Sequence, residues 1–412
     1  MTARKLKTTL LIFFVLTLFS SFSSAQIAGY RDFELVESTP IETVLDNPDI
    51  RNTREVWLEM INGAKKSLDI EQFYISNQAG EPLEDIIQAI EIAASRGVMV
   101  RVIADARMQK TYPETIERLG KQQNISARII NFGKLTGGIQ HAKFFIADGE
   151  MIFLGSQNFD WRALKHIHEL GLKIRHKEAV QFYQDIFNLD WNLSETNDKT
   201  FLAKHLTPKT YNSPFHIMKG SDTLTFTPTA SPIGFIPDTS LWDEPNIIRL
   251  IDGAKSEVSL QFLGYNTRGR DKSEYRILDD ALRRAASRGV KVRMIVSDWE
   301  KGTPAEKPLK KLSQVPNIEV KFSVIPEWSG GYVSFARVEH CKFIVADASS
   351  FWLGTSNAEK SYFYNVRNLG VVVKNKTLGE LVHRVFMKSW DGPYTEVVRP
   401  DMKYQKREHG EK

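Results

Sequence analysis

Apolar positions recur along this chain with two periods, and the periods take turns. Residues 54–65 and 245–255 place apolar side chains at helical spacing, so each predicts an amphipathic helix. Residues 67–75 and 257–263 are apolar-rich and alternate, which predicts strands. Pro82 opens the next helix and Gly97 suits the left-handed residue that ends it; Gly289 holds the corresponding place later on. Residues 98–104 and 290–297 read as buried strands. Helices near 113–121 and 304–313, strands near 126–131 and 318–325, and closing helices near 177–191 and 377–390 complete the pattern. Strands alternating with helices predict an α/β fold.

The same order of elements occurs twice, and the letters repeat with it. INGAKKSLDIEQFYI, from Ile61, is answered by IDGAKSEVSLQFLGY, from Ile251. AIEIAASRGVMVRVIAD, from Ala89, is answered by ALRRAASRGVKVRMIVSD, from Ala281. HAKFFIADGEMIFLGSQN, from His141, is answered by HCKFIVADASSFWLGTSN, from His340. We therefore expect two similar α-β-α sandwich halves, residues 44–200 and 241–395, related by a pseudo-two-fold axis. Residues 201–240, within a stretch rich in Pro, Ser and Thr, read as a connecting segment with at most a short edge strand, and 396–412 as a mobile polar tail.

The third repeat carries chemistry. Its pattern is His-x-Lys-x4-Asp-x6-Gly-Ser/Thr-x-Asn. The first copy is His141, Lys143, Asp148, Gly155, Ser156 and Asn158; the second is His340, Lys342, Asp347, Gly354, Thr355 and Asn357. Glu169 and Asn368 stand at the same offset of 28 residues after their histidines, each before Leu-Gly. On a strand, residues i and i+2 share a face, so His and Lys project together while Ala142 and Cys341 point away. Two facing copies would surround one phosphate with two imidazoles, two ammonium groups and two amides, a preorganised clamp for a phosphoryl transition state. One imidazole can attack phosphorus while the other protonates the leaving oxygen and then activates water. Glu169 and Asn368 are candidates to hold a ring N–H and fix each tautomer. Asp148 and Asp347 end strands at turns, and we expect them, with Ser156 and Thr355, to brace the site.

At these residues the chain resembles the phospholipase D superfamily, and the likeness spans roughly 45–392. The resemblance implies catalysis without metal or other cofactor, with one motif histidine phosphorylated and the other acting as acid and base. It points to His141, Lys143, Asn158, His340, Lys342 and Asn357, with His141 taken as the nucleophile. LGSQNFDWRALKHIHELG and ARVEHCKFIVADASSFWLGTSN look more narrowly like the branch of animal lysosomal phospholipase-D-like 5′ exonucleases and the poxvirus envelope phospholipase. The expected partner is a phosphodiester, either phospholipid with peripheral membrane contact or single-stranded nucleic acid. The alternatives are a phosphatidyl transferase using an alcohol acceptor, a non-catalytic phosphate-binding protein of the same fold, and a metallophosphatase that a chelator would silence. A single chain holds both motifs and suffices for one site.

Composition adds boundaries. With 412 residues, 42% hydrophobic and 25% charged, the chain can bury sizeable cores. Arg4, Lys5 and Lys7 precede an apolar run from Leu10 to Phe22 that ends in small residues up to Ala25. This predicts a signal peptide over 1–25 and an exported protein, periplasmic or secreted, or lumenal in a eukaryote. Removing its three basic residues from the formal +5 leaves 5 − 3 = +2, too mild to name a polyanionic partner. Cys341 is the single cysteine, so no internal disulfide forms. His166-Ile167-His168-Glu169 lacks an evident third metal ligand nearby. Trp161, Trp299, Trp328 and Tyr362-Phe363-Tyr364 read as core or cleft wall with base stacking as the alternative, and Arg162, Arg337 and Arg367 as ion-pair formers or readers of a second phosphate.

Overall fold

Alternation on the motif strands decides how the layers stack. In Phe144–Ala147, Phe144 and Ile146 enter one buried cluster while Phe145 and Ala147 enter another. In Phe343–Ala346, Phe343 and Val345 join that same first cluster, and Ile344 and Ala346 enter a third. Each strand is thus apolar on both faces, and one of those faces is shared between the halves. The computed structural model describes residues 32–410, so the expected signal peptide lies outside the described residues.

Two mixed sheets result. The first runs Arg51–Asn52, Phe33–Ser38, Glu169–Arg175, Met151–Gly155, Phe144–Ala147, Ser67–Gln72, Met99–Asp105, Ile125–Ile130. The second runs Phe215–Lys219, Asp222–Ser231, Asn368–Lys374, Ser350–Gly354, Phe343–Ala346, Glu257–Phe262, Lys291–Ser297, Ile318–Ser323, Thr395–Val397. Seven consecutive strands correspond one to one, which is the duplication seen in the letters. Helices Thr53–Gly63 and Leu83–Ser95 cover the outer face of the first sheet, and Asp243–Gly253 and Ile277–Ser287 that of the second. The long helices Lys177–Thr196 and Lys376–Asp391 lend Phe182, Tyr183, Phe187, Val385, Phe386 and Trp390 to the shared central core. Ala142 and Cys341 are in that core too, leaving their neighbours His141, Lys143, His340 and Lys342 to line the cleft above it.

Three boundaries differ from the sequence expectation. The first half begins at Phe33, whose strand runs antiparallel to Glu169–Arg175. The connecting segment holds two strands of the second sheet, and Thr225–Ser231 of the second pairs with Asn368–Lys374. Its Pro228 hid it. The neighbouring strand pairs only up to Phe226, so Pro228 sits where that side of the ladder is open and its missing N–H costs little. The tail is strapped down rather than mobile. Thr395–Val397 joins the sheet, the Tyr404 ring meets Phe322 at 5.1 Å, and His409 stacks on Trp299 at 4.1 Å.

Candidate active site

The site forms where the two halves dock through backbone bonds beside the motif histidines. The His141 N–H donates to the Arg367 carbonyl (3.0 Å), and the His340 N–H donates to the His168 carbonyl (3.0 Å). Each histidine is thereby set against the start of the other half's strand, so the supporting residues cross over. The His340 Nδ1 lies 2.8 Å from a carboxylate oxygen of Glu169, and the His141 Nδ1 lies 3.2 Å from the Asn368 Oδ1. The sequence leaves open which ring each residue supports; docking pairs Glu169 with His340 and Asn368 with His141.

The network fixes the tautomers. The Asn368 amide nitrogen donates to the carbonyls of Tyr362 (2.9 Å) and Val366 (3.2 Å), so its oxygen can only accept. It takes the Thr355 hydroxyl at 2.9 Å and the His141 Nδ1–H. The His340 Nδ1–H likewise faces the Glu169 carboxylate. Both Nε2 atoms are then left for chemistry. Ser156 and Thr355 occupy matching positions, accepting the N–H of Leu170 (3.0 Å) and Leu369 (3.1 Å) just beyond the two supporting residues.

Lys143 and Lys342 are fully buried, and each ammonium donates to the carbonyl of its own motif histidine at 2.5 Å. Burial and then Lys342 hold the Lys143 ammonium well below its ordinary range; burial lowers Lys342 to about 8, against the pull of Glu169. Burial, reinforced by both ammonium groups, keeps His141 and His340 well below 6.5. Burial also pushes the Glu169 carboxyl up, opposed by Lys342, the Ser156 hydroxyl and Lys143. Two ammonium groups this close favour an anion between them, and a phosphodiester supplies one. The Asn357 amide donates to the Tyr362 hydroxyl at 3.0 Å, and Asn158 and Asn357 begin matching turns through their carbonyls, to Asp160 N–H (2.7 Å) and Glu359 N–H (2.9 Å).

Asp148 and Asp347 lie outside this cluster. Asp148 accepts the backbone N–H groups of Lys65, Lys66 and Ser67, and Asp347 those of Lys255, Ser256 and Glu257. They pin the turn after each motif strand to the start of the neighbouring strand. Arg162 pairs with Asp160, Arg337 donates to the carbonyls of Pro326 and Ile41, and Arg367 forms a fork with Asp190 at 2.6 and 2.7 Å. All three arginines are occupied by internal partners rather than turned to a second phosphate. His168 is gripped between Glu339 (2.7 Å) and Glu37 (3.2 Å). His168, Glu339 and Cys341 bring ligand-type atoms within 4.8 Å of one another, but both His168 nitrogens are engaged by carboxylates.

Sequence reasoning missed Phe73 as a wall of the site. Its ring lies 5.1 Å from the His141 ring and 5.1 Å from the Lys143 ammonium, and Tyr362 stands edge-on to His141 at 5.0 Å. The available signal was position: Phe73 directly follows Ser67–Gln72, at the carboxyl end of a parallel strand, where α/β sites gather. Of the aromatics considered, Tyr362 reaches the site, Trp161 and Trp328 flank His166, and Trp299 lies beneath the tail.

A family model described as "Cardiolipin synthase, PLD-like domain" matches residues 57–191 and 247–390, one match in each half. The chain is 29% identical over 398 residues to Phospholipase D Z of Dictyostelium discoideum, covering 91% of this chain and 92% of that protein. It is 30% identical over 400 residues to the 5'-3' exonuclease PLD3 of Xenopus laevis, covering 88% of this chain and 80% of that protein. The fold matches phosphatidylserine synthase from Haemophilus influenzae Rd KW20 with a TM-score of 0.61 at 16% identity, over 85% of each chain.

Proposed function

Since this chain belongs to the phospholipase D-like family and is a phosphodiesterase-type enzyme, we propose that it hydrolyses phosphodiesters through a covalent adduct on His141, with His340 as acid and base and no metal in the reaction. The His141 Nε2 attacks phosphorus; the P–O bond to the leaving group breaks, and the His340 Nε2–H passes its proton to the departing oxygen. Water then attacks phosphorus, gives a proton to the His340 Nε2, and the P–N bond breaks with its electrons returning to His141. Lys143, Lys342, Asn158 and Asn357 supply the positive charge and donors that hold the non-bridging oxygens.

The crossed pairing carries this division of labour. The group that holds a proton between turnovers, before it protonates the leaving oxygen and after it takes a proton from water, is favoured as an imidazolium by a carboxylate behind it, and His340 has one. The nucleophile must instead leave easily, and the neutral Asn368 amide behind His141 does little to stabilise a phosphorylated, positively charged ring. The leader pattern at residues 1–25 supports action outside the cytoplasm.

The test uses His340→Ala with bis(p-nitrophenyl) phosphate in excess chelator. That leaving group needs no acid, while water attack lacks its base. The expected result is a burst of one p-nitrophenolate per chain and an acid-labile phosphate on the peptide containing His141. A phosphate trapped on His340 in the reciprocal His141→Ala chain, with no burst from His340→Ala, overturns the assignment.

A further inference from the structure

Beside the catalytic cleft, the second half carries an open groove of about 1350 Å³ walled by residues 266–274, the neighbourhood of helix Glu306–Leu312 and the start of the tail. Its lining includes Arg268, Arg270, Lys272, Lys307, Lys311 and Lys403. With Lys310 that makes seven cationic side chains against three carboxylates, Glu274, Glu306 and Glu359, and Glu306 is already tied to Lys310. None of the six named first forms an ion pair among the described residues. Elsewhere in the chain, by contrast, Arg118 is paired with Glu84 and Glu91 and Arg284 with Asp252. A net charge of only +5 over the whole chain does not by itself put seven cations along one groove.

The groove is joined to the site. The Asn266 N–H donates to the Ala358 carbonyl (3.0 Å), and the Ala358 N–H donates to the Gly264 carbonyl (3.2 Å), which clamps the cationic loop to the residue following Asn357. Glu359, two residues from Asn357, is part of the groove lining. The duplication supplies an internal comparison. The loop between Ser67–Gln72 and Leu83–Ser95, the counterpart in the first half, carries Glu81 and no Lys or Arg. Of these two matching loops only the second carries cations, which suits a chain that leaves the site on that side.

We infer that this groove is a second, non-catalytic binding site that takes the sugar-phosphate backbone of a single-stranded nucleic acid whose terminal phosphodiester lies between His141 and His340; the inference rests on the phosphodiesterase reading. A run of phosphates can be met by several cations lining one groove, and a flexible single strand can bend from cleft to groove. An anionic bilayer fits less well, because insertion needs apolar side chains at the rim, and none of the exposed large hydrophobic residues lines the groove.

The experiment measures binding of labelled dT4 and dT20 to the full chain bearing His340→Ala, in chelator, across a salt series. With the groove intact, dT20 should bind far more tightly than dT4, and the slope of log affinity against log salt should be no steeper than about −4, since six phosphates at most are neutralised at roughly 0.7 each. Adding Arg268→Glu, Arg270→Glu and Lys272→Glu should weaken dT20 by about 100-fold and flatten the slope by about 2, leaving dT4 the weaker probe of this change. Neutralising the facing wall with Lys307→Gln, Lys311→Gln and Lys403→Gln should act in the same direction. Lys65→Glu with Lys66→Glu, exposed cations outside the groove, serve as the control. The inference is overturned if the groove variants weaken dT20 no more than this control does, or if they release the chain from phosphatidylglycerol vesicles while dT20 binding stays unchanged. Turnover of bis(p-nitrophenyl) phosphate by the unaltered chain reports on the phosphodiesterase reading separately, so failure of one is distinguishable from failure of the other.

Discussion

At the scale of single residues, the two halves have diverged directly behind the motif histidines: Glu169 stands behind His340 and Asn368 behind His141. Catalysis in the proposed direction requires His141 neutral and His340 protonated. Burial and the two ammonium groups hold both rings below 6.5, so in the free enzyme the second condition fails first as pH rises. The sign follows: kcat/KM should peak on the acid side of pH 6.5 and fall about tenfold per pH unit above its upper limb. Glu169→Gln removes the negative charge behind His340 while keeping an acceptor oxygen, makes its imidazolium less stable, and should move that limb further to acid while lowering kcat about 100-fold for diesters with poor leaving groups. A pH–rate profile of both chains checks this; a limb that moves to alkali in Glu169→Gln sinks it. Two copies in register single out the eight candidates in the sequence, and the fold brings them together around the two histidines. The crossing was not legible there, because it depends on how two sheets dock, and no local spacing encodes that.

At the scale of elements, the turns after the motif strands show how the duplication has been kept with different letters. Asp148 and Gly149 both adopt positive φ (56° and 66°), the pattern of a tight hairpin turn, and Asp-Gly suits it. The second copy uses Asp347 and Ala348 at 52° and 47°, so an alanine sits where its Cβ is crowded. Ala348→Gly should therefore stabilise the protein by about 1 kcal/mol, and thermal or denaturant unfolding measures it. An unchanged or lowered midpoint would mean that the strain is relieved elsewhere. The same scale explains what pattern reading loses. The strands of the duplicated units have apolar faces on both sides and announce themselves, whereas Asp222–Ser231 carries Thr at alternate positions and Pro228 within it, and is held as a strand by its partners Asn368–Lys374 and Phe215–Lys219. The tail fails for the converse reason: its anchors Tyr404, Arg407 and His409 are scattered among polar residues, and composition averages them away.

At the scale of the whole molecule, two buried cations hold the halves together at equivalent points, one residue before each supporting side chain. On one side Arg367 is locked to Asp190 with both side chains fully buried. On the other, His168 sits between Glu339 of the second half and Glu37 of the first. Arginine keeps its charge at any working pH, but histidine does not. Burial opposes the His168 charge, yet Glu339 and Glu37 outweigh it and push the ring up to about 10. A base raised on folding contributes stability that is fully present below its unfolded value near 6.5 and is lost as pH rises toward 10. The unaltered protein should thus lose stability between pH 7 and 10. His168→Ala should be less stable by about 3–5 kcal/mol at pH 7, because two buried carboxylates lose their cation, and should show a flatter dependence over that range. Unfolding midpoints of both chains across pH 6–10 decide it. Parallel curves would mean that His168 is neutral in the folded protein and that the halves are joined by packing and the Arg367–Asp190 pair alone.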